Sequence, residues 1–381
     1  MSELQRQSEM LVESLVRAEV KDLHSYHVPG SSGLLKLDAM ENPFSWPGHL
    51  QNAWFDKLKE IDANRYPDPS ASGVNQRLRK LLNVDVLAAR ANTELSIMLG
   101  NGSDEIIQIL AMTLASKERG ILAPEPSFVM YQMIAKFVGI PYHGVELNED
   151  FSLDLNAFLS SIRAYNPSLI FLAVPNNPTG NLFGVNEVKA IVEASKGLVV
   201  VDEAYMAFTG SDLLPLIAEY PNVVVMRTLS KVGLAGLRLG FLIGSTVWLN
   251  EFDKLRLPYN INVLTQASAE LALDNYHVLS EQTESLRAAR SELTAGLQAI
   301  DGLQVYESEA NFVLVRCLQA SAREVFTRMK ELGVLIKCLD GGHPSLKNCL
   351  RLTVGKPQQN VQMLTALTAS LVELSTRKSS V

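Results

Sequence analysis

The sequence is poor in cysteine and histidine, and this scarcity argues against two kinds of stabilising site. Three cysteines occur in 381 residues, at Cys317, Cys338 and Cys349, without CxxC spacing. An odd and sparse count is typical of reduced thiols in a cytoplasm and disfavours a disulfide framework. The six histidines are scattered, and the closest pair, His24 and His27, has no third ligand nearby, so we expect no metal site.

Long apolar runs and blocks of basic residues are also missing. No apolar run approaches the roughly 18 residues that span a bilayer. The first residues, MSELQRQSEMLVESL, lack the basic and then apolar pattern of a signal peptide. Lys and Arg total 34 against 41 for Asp and Glu, a net charge of −7 that argues against a nucleic-acid surface. We expect a globular cytoplasmic protein, bound to neither membrane nor nucleic acid and long enough for two domains.

From about residue 97, short apolar runs alternate with amphipathic segments. The apolar runs lie at 97–100, 120–124, 168–175, 197–204, 222–230 and 239–244, and the segments at 103–116, 127–138, 154–164 and 186–196. Continuous apolar runs are typical of strands buried on both faces, and this alternation predicts an α/β fold with a mostly parallel sheet. Ligands of such sheets bind beyond the carboxyl ends of the strands.

A second pattern follows a long helical segment at 265–299. Strands at 310–317, 334–338 and 349–355 and helices at 321–332 and 357–375 predict a smaller α/β domain. A leading amphipathic helix over residues 3–23 and an irregular stretch from His27 to Pro47 are expected to join this domain.

Three polar motifs follow predicted buried strands. They are PNNPTG at 175–180, Asp202 with Tyr205 in DEAY, and Lys231 in TLSK. Each has a simpler interpretation alone: a turn, a cap or surface loop, and a solvated lysine. Together they match what pyridoxal phosphate requires, namely an amine for a Schiff base, a carboxylate for the ring nitrogen and donors for the phenolic oxygen.

A glycine-containing turn supplies a candidate phosphate cradle. In LGNGSDE (99–105), glycines permit close backbone approach, and Ser103 or Asp104 opens the next helix, whose N-terminal amides favour an anion. A plain helix cap explains this motif equally well when it is considered in isolation.

These residues resemble the fold-type I pyridoxal-phosphate aminotransferases, and within their class II subfamily the histidinol-phosphate aminotransferases. The resemblance extends from Leu37 to Gly355 and is carried by NRYPD, NGSDE, PNNPTG, VDEAY, TLSK and GLRLG, in that order. It implies a large domain with a mostly parallel seven-stranded sheet and a smaller α/β C-terminal domain. The expected limits are 1–60 for an N-terminal helix and lid joined to the small domain, 61–270 for the cofactor-binding domain and 271–381 for the small domain.

The resemblance also implies residue roles. Lys231 would carry the cofactor and shuttle a proton, Asp202 would pair with the ring nitrogen, and Tyr205 with Asn177 would bind the phenolic oxygen. Phe128 would stack on the ring, without the hydroxyl that the family often has there. The residues expected to bind the cofactor are Gly102, Ser103, Asp104, Phe128, Asn177, Asp202, Tyr205, Thr228, Ser230, Lys231, Arg238 and Tyr66, the last from a neighbouring subunit, which implies a homodimer with shared active sites.

Two departures from the family pattern concern anion binding. Lys231 and Arg238 are seven residues apart, where some members have eight, so the intervening loop must take a shorter path. Lys337 stands where the subfamily often has an arginine for the substrate phosphate, and lysine lacks bidentate geometry. The residues expected to bind substrate are Tyr26, Asn42, Asn177, Asn311, Lys337 and Arg351.

Several of these substrate-site assignments have alternatives. Arg351 matches the arginine that binds the anionic end of substrates, but a surface salt bridge is the simpler reading. The lid that contains Tyr26 and Asn42 could merely pack on the core, and Asn311 could merely begin a strand.

The implied reaction is transamination of L-histidinol phosphate with 2-oxoglutarate, giving imidazole acetol phosphate and L-glutamate in L-histidine biosynthesis. Aromatic amino acid aminotransferases and threonine-phosphate decarboxylases share the scaffold and remain alternatives. A protein that only binds or regulates would lack the lysine or the aspartate, or would carry a DNA-binding domain.

Overall fold

A computed structural model describes residues 2–21, 23 and 30–379 of the chain, which form an α/β structure. The helices are α1 (Glu3–Leu15), α2 (Ala18–Lys21), α3 (Gly48–Lys59), α4 (Ser72–Leu81), α5 (Val84–Ala91), α6 (Ser103–Leu114), α7 (Met130–Val138), α8 (Leu155–Tyr165), α9 (Val185–Ala194), α10 (Thr246–Asp253), α11 (Val263–Asp274), α12 (Tyr276–Gln298), α13 (Ala322–Glu331) and α14 (Pro357–Ser379). None of these described helices is both long and apolar enough to cross a bilayer.

The strands form three sheets. They are β1 (Leu35–Lys36), β2 (Leu95–Gly100), β3 (Ile121–Glu125), β4 (Tyr142–Glu146), β5 (Leu169–Ala173), β6 (Leu198–Asp202), β7 (Val223–Thr228), β8 (Gly240–Ser245), β9 (Leu303–Val305), β10 (Phe312–Cys317), β11 (Val334–Leu335), β12 (Lys337–Cys338) and β13 (Cys349–Thr353).

The large sheet has seven strands in the order β2-β8-β7-β6-β5-β3-β4. Only β8 runs antiparallel to its neighbours, which confirms the mostly parallel sheet that the apolar runs predict. Strands β5 and β6 are buried at every position, because apolar side chains pack on both faces of the sheet. Their parallel pairing brings Ala173, Asp202 and Thr228, the last residues of β5, β6 and β7, to one edge.

The strand β4 has no counterpart among the predicted apolar runs. It lies at the end of the strand order, and Val145 is its only fully buried residue. An edge strand with a half-exposed face needs no continuous apolar run, so its sequence gives little signal.

Three predicted segments are divided in the structure. The segment 265–299 forms α11 and α12, separated at Asn275, whose backbone leaves the helical region. The leading helix is interrupted at Val16, which is extended, between α1 and α2. The run at 334–338 contributes β11 to one sheet and β12 to another.

The second sheet is antiparallel, in the order β12-β13-β10-β9, and β1 pairs in parallel with β11 beside it. Leu37 and Met40 share an apolar cluster with Phe312 and Leu352 of this sheet. The chain just after β1 therefore packs against C-terminal elements. The domain limits at 60/61 and 270/271 stay a prediction.

Candidate active site

A cavity opens at the carboxyl ends of β5, β6 and β7. About 600 Å³ of space free of protein atoms lies within it and its mouth, part of it open to solvent. Parallel strands direct their C-terminal residues to the same edge, which explains why side chains from distant parts of the sequence meet there. The predicted residues that line it are Ser103, Asp104, Phe128, Asn177, Asp202, Tyr205, Thr228, Ser230, Lys231 and Arg238.

Asp202 ends β6 with its carboxylate buried on the cavity wall. Oδ2 accepts a hydrogen bond of 2.6 Å from the Tyr131 hydroxyl, and Oδ1 accepts one of 3.1 Å from the Ala204 amide. Burial raises the pKa of Asp202 to about 6, and the Tyr131 hydrogen bond acts against that rise. Among the described residues it forms no ion pair within 4 Å. A buried carboxylate without a cation is costly, so the site favours a ligand that carries one.

Lys231 lies three residues after the end of β7 and lines the cavity. Its Nζ donates to the Ala39 carbonyl at 3.3 Å and lies 5.7 Å from the centre of the Tyr205 ring. Burial, reinforced by the charge of Arg351, lowers the pKa of Lys231 to about 8. A lowered pKa increases the neutral, nucleophilic fraction of the amine near physiological pH.

A hydrogen bond between Asn177 and Arg351 joins the cavity lining to the smaller sheet. Arg351 Nη1 donates to Asn177 Oδ1 at 2.6 Å, and Nη2 donates to the Asp38 carbonyl at 2.9 Å. Arg351 is buried and packs over the Phe312 ring, so the simpler reading of a surface salt bridge is wrong. The bond from Arg351 fixes the amide of Asn177 in orientation, with its oxygen turned toward β13.

Tyr205 forms an aromatic face of the cavity. Its ring meets Phe312 edge-on, at 5.2 Å between centres and 84° between planes. Burial raises the pKa of the Tyr205 hydroxyl, which Arg351 partly opposes. The hydroxyl therefore stays protonated and can donate at neutral pH.

The candidate phosphate cradle combines a helix N-terminus with a cation. Gly102 caps α6 without a side chain, so the first-turn amides have no side-chain acceptor from that position. Gly102 has φ +87°, and a Cβ there would lie 2.5 Å from Arg238 Nη2. Glycine is therefore needed for this close approach. Arg238 Nη2 lies 3.2 Å from Asp104 Oδ2.

The short loop between Lys231 and Arg238 still brings the arginine to the cavity. Ser230–Leu234 form a π-helical turn with Gly233 at φ +122°, followed by a 3-10 turn at Ala235–Leu237. Arg238 then adopts a left-handed φ of +50°, a conformation that is unfavourable for a residue with a Cβ. The Thr228 and Ser230 hydroxyl oxygens lie 2.9 Å apart beside this loop.

Other predicted site residues lie outside the cavity lining. Tyr66 is 82% exposed and stacks on Tyr259, with 4.4 Å between ring centres. Asn42 donates to the Val232 carbonyl and to Gln282, so it supports the loop after Lys231. The position of Tyr26 falls outside the described residues.

Asn311 and Lys337 lie on the smaller sheet. Asn311 Nδ2 donates to the Met40 carbonyl at 3.0 Å, while its buried Oδ1 has no hydrogen-bond partner among the described residues. Lys337 is the register partner of Arg351 between β12 and β13, and directly paired residues project to the same face.

Two contributors were missed by sequence reasoning. Tyr131, buried on α7, binds Asp202, and Met40 lines the cavity with a left-handed φ of +53°. Tyr131 lies three residues after Phe128, which precedes the start of α7, and nothing in the sequence relates Tyr131 to Asp202.

A group of potential metal ligands lies elsewhere, at the β3–β4 edge. Ligand atoms of Glu125, Glu146 and His343 lie within 4.8 Å of one another. His343 Nδ1 accepts from the Ser345 amide at 3.3 Å, and its Nε2 lies 3.3 Å from Glu146 Oε1. A close contact between a histidine and a carboxylate accounts for this arrangement.

The residues in and around the cavity have the chemistry that pyridoxal phosphate requires. It offers an amine of lowered pKa, a buried carboxylate without a cation, and an anion cradle that a Cβ at Gly102 would fill. These features match the aldehyde, ring nitrogen and phosphate of that cofactor respectively.

Comparisons with known proteins give a consistent result. Residues 33–367 match the family model described as aminotransferase class I and II. The chain is 49% identical over 354 residues to histidinol-phosphate aminotransferase 2 of Nitrosococcus oceani, covering 93% of this chain and 96% of that protein. It is 47% identical to the Chromobacterium violaceum histidinol-phosphate aminotransferase, covering 94% and 98% respectively. A crystal structure of the Sinorhizobium meliloti histidinol-phosphate aminotransferase in complex with pyridoxal-5′-phosphate has the same fold, with a TM-score of 0.83, 24% identity and coverage of 95% and 98%.

Proposed function

The chain belongs to the class I and II aminotransferase family, and from that membership we propose that it transfers the amino group of L-histidinol phosphate to 2-oxoglutarate. Its cofactor is pyridoxal 5′-phosphate. The products are imidazole acetol phosphate and L-glutamate, which places the enzyme in L-histidine biosynthesis. The observation that carries the proposal is the cavity lined by Lys231, Asp202 and Asn177, with Arg351 bonded to Asn177, in a chain 49% identical to a histidinol-phosphate aminotransferase.

When bound, pyridoxal phosphate supplies an aldehyde that joins an amine and a protonated ring that accepts the electron pair released at the substrate carbon. Lys231 is proposed to hold the cofactor before substrate arrives. Once substrate has released it, Nζ would take the proton from the carbon that bears the substrate amino group and would pass it to the cofactor. The lowered pKa of Lys231 suits a base that works near neutral pH.

The remaining cavity residues are proposed to orient the ring. Asp202 would keep the ring nitrogen protonated, and the Tyr205 hydroxyl with the Asn177 amide nitrogen would donate to the phenolic oxygen. Phe128 would cover one face of the ring. The bond from Arg351 to Asn177 Oδ1 supports this orientation, because it leaves the amide nitrogen of Asn177 as the group that can face the cavity.

The cofactor phosphate is proposed to bind at the start of α6. The backbone amides of Gly102, Ser103 and Asp104 would donate to it, together with the hydroxyls of Thr228 and Ser230. Arg238, which lies against Gly102, would neutralise its charge by exchanging the contact with Asp104 for one with the phosphate.

The anionic end of each substrate is proposed to bind Arg351. This arginine would meet the phosphate of histidinol phosphate in one half-reaction and a carboxylate of 2-oxoglutarate in the other. Lys337, its cross-strand partner, would add a second positive charge for the phosphate. Tyr26, Asn42 and Asn311 are proposed to contribute to the substrate end of the site or to the segment that covers it.

A homodimer is proposed, with Tyr66 completing the cofactor site of a second copy. The support is that Tyr66 is highly exposed and stacked on Tyr259, away from the cavity of its own chain. The proposed location is the cytoplasm, with small molecules rather than nucleic acids or membranes as partners.

The proposed domain limits are 1–60, 61–270 and 271–381. They are supported by the pairing of β1 with β11 and by the helix break at Asn275, close to the second limit.

The test is the first half-reaction in isolation. Adding L-histidinol phosphate to the cofactor-loaded protein should convert the cofactor spectrum to that of the pyridoxamine form, and 2-oxoglutarate should reverse the change. Parallel samples receive L-phenylalanine, L-aspartate and L-threonine phosphate. Conversion by an amino acid alone would overturn the assigned substrate, and release of CO₂ from L-threonine phosphate would indicate the decarboxylase.

A further inference from the structure

The ring of Tyr131, on α7, is fixed from two sides where the helix packs on the large sheet. It is fully buried and stacks on Phe171 of β5, with 4.5 Å between centres and 8° between planes. Phe128 meets it edge-on at 5.6 Å and 87°. A ring packed in this way has one orientation, so the position of its hydroxyl is determined by the core.

The hydroxyl of Tyr131 is directed at Asp202. The distance from Oη to Oδ2 is 2.6 Å, which is the length of a hydrogen bond to an ionised carboxylate, about 2.5–2.7 Å. Because the Ala204 amide holds Oδ1, both carboxylate oxygens are anchored from behind the cavity wall. The plane of the carboxylate is thereby fixed, and its remaining lone pairs are available to a ligand.

The pKa shifts of both groups indicate that Tyr131 is the donor and Asp202 the acceptor of this hydrogen bond. Burial, followed by the negative charge of Asp202, raises the pKa of Tyr131 well above that of an exposed tyrosine, so the phenol remains a donor. Burial also raises the pKa of Asp202, and the bond from Tyr131 is the largest of the opposing effects. Tyr131 therefore favours the ionised form of Asp202.

We propose that Tyr131 is a positioning residue that holds the Asp202 carboxylate, ionised and in one plane, toward the ring nitrogen of the cofactor. This inference rests on the proposed function, because it concerns the same cofactor. Through its edge contact, Tyr131 also supports Phe128, the residue proposed to cover the ring. One buried phenol would thus align the cofactor at its nitrogen and on one face.

The first test replaces Tyr131 by phenylalanine and measures Asp202 directly. Infrared titration of cofactor-free protein, with D202N as the subtraction, gives the pKa of the Asp202 carboxyl. We expect Y131F to raise it by about one to two pH units, the equivalent of a lost hydrogen bond to a charged group. Because phenylalanine retains the stacking on Phe171, we expect Y131F to unfold at nearly the same temperature as wild type. A large fall in the unfolding temperature would identify a misfolded variant.

A matched control removes another tyrosine hydroxyl that binds a carboxylate. Tyr220 donates to Glu193 Oε1 at 2.7 Å, and neither residue lines the cavity. Y220F should leave the pKa of Asp202 unchanged. An equal shift in both variants would overturn the proposal, since it would show a general loss of stability rather than a local effect.

A second readout examines the holoenzyme. The ¹⁵N resonance of ring-labelled pyridoxal phosphate reports protonation of the ring nitrogen without requiring turnover. Y131F should reduce the protonated fraction at pH 8 and lower kcat with little change in KM for histidinol phosphate. A wild-type resonance and an unchanged Asp202 pKa in Y131F would refute the positioning role even if wild-type enzyme transaminates. Failure of wild-type enzyme to transaminate, with both shifts present, would refute only the assigned reaction.

Discussion

Removing the charge of Asp202 should stabilise the cofactor-free protein at neutral pH while abolishing catalysis. Burial raises the pKa of this carboxyl from 3.8 to about 6. The folded protein therefore binds the proton more tightly than the unfolded chain does, and ionisation in the folded state costs free energy. A difference of about two pH units corresponds to about 3 kcal/mol.

The sign of the effect defines a pH window. Below about pH 4 the carboxyl is protonated in both states and the cost is absent; it grows between about pH 4 and 6 and is constant above. In D202N the amide oxygen can accept from Ala204, and the amide nitrogen can donate to the Tyr131 oxygen. Allowing for the weaker neutral hydrogen bonds, we expect D202N to be more stable than wild type by about 1–3 kcal/mol at pH 8.

The assay is urea unfolding of cofactor-free protein, followed by circular dichroism from pH 4.5 to 8 at one protein concentration. The difference between D202N and wild type should rise with pH and level off above pH 6. Asp301, exposed after α12, provides the matched control, and D301N should show no such rise. A difference independent of pH, or a D202N protein less stable than wild type at pH 8, would refute the reasoning.

Three further predictions concern the cavity. K231A should lose turnover and the absorbance of lysine-bound cofactor, measured by spectrophotometry, whereas K254A, at an exposed lysine, should retain both. G102A should weaken cofactor affinity at least about tenfold, measured by fluorescence titration, because φ is positive and a Cβ would contact Arg238; wild-type affinity would disprove the tight approach. R351A should lower kcat/KM for both substrates by about 10- to 150-fold in steady-state assays, the equivalent of a lost charge-assisted hydrogen bond, and a loss confined to one substrate would contradict a shared anion site.

Much of the large sheet was predictable, because strands buried on both faces must be apolar throughout. Strands β5, β6 and β7 fall within predicted runs, and the residues that follow them belong to the cavity. The edge strand β4 was not predictable, since its exposed face relaxes the requirement for apolar residues. The break at Asn275 was also missed, because the flanking helical patterns are nearly continuous.

In the candidate site, too, some residues were predicted from the sequence and others were not. Lys231, Asp202 and Asn177 were predicted because each chemical type follows a buried strand, where parallel topology brings ligand-binding groups together. Tyr131 was not, since a tyrosine on an amphipathic helix has the pattern of an ordinary core residue. Its partner Asp202 is 71 residues away in the sequence, and only packing brings the two together.

The sequence by itself determined the α/β class, the mostly parallel sheet and the cofactor chemistry, because periodicity and strand-end residues are local properties of the chain. Tertiary structure alone decided which oxygen of Asp202 is bound by Tyr131, that Arg351 reaches Asn177 across 174 residues, and how the six-residue loop between Lys231 and Arg238 returns the arginine to the cavity. These depend on distances between elements, and such distances are fixed only when side chains from the whole chain pack into one core.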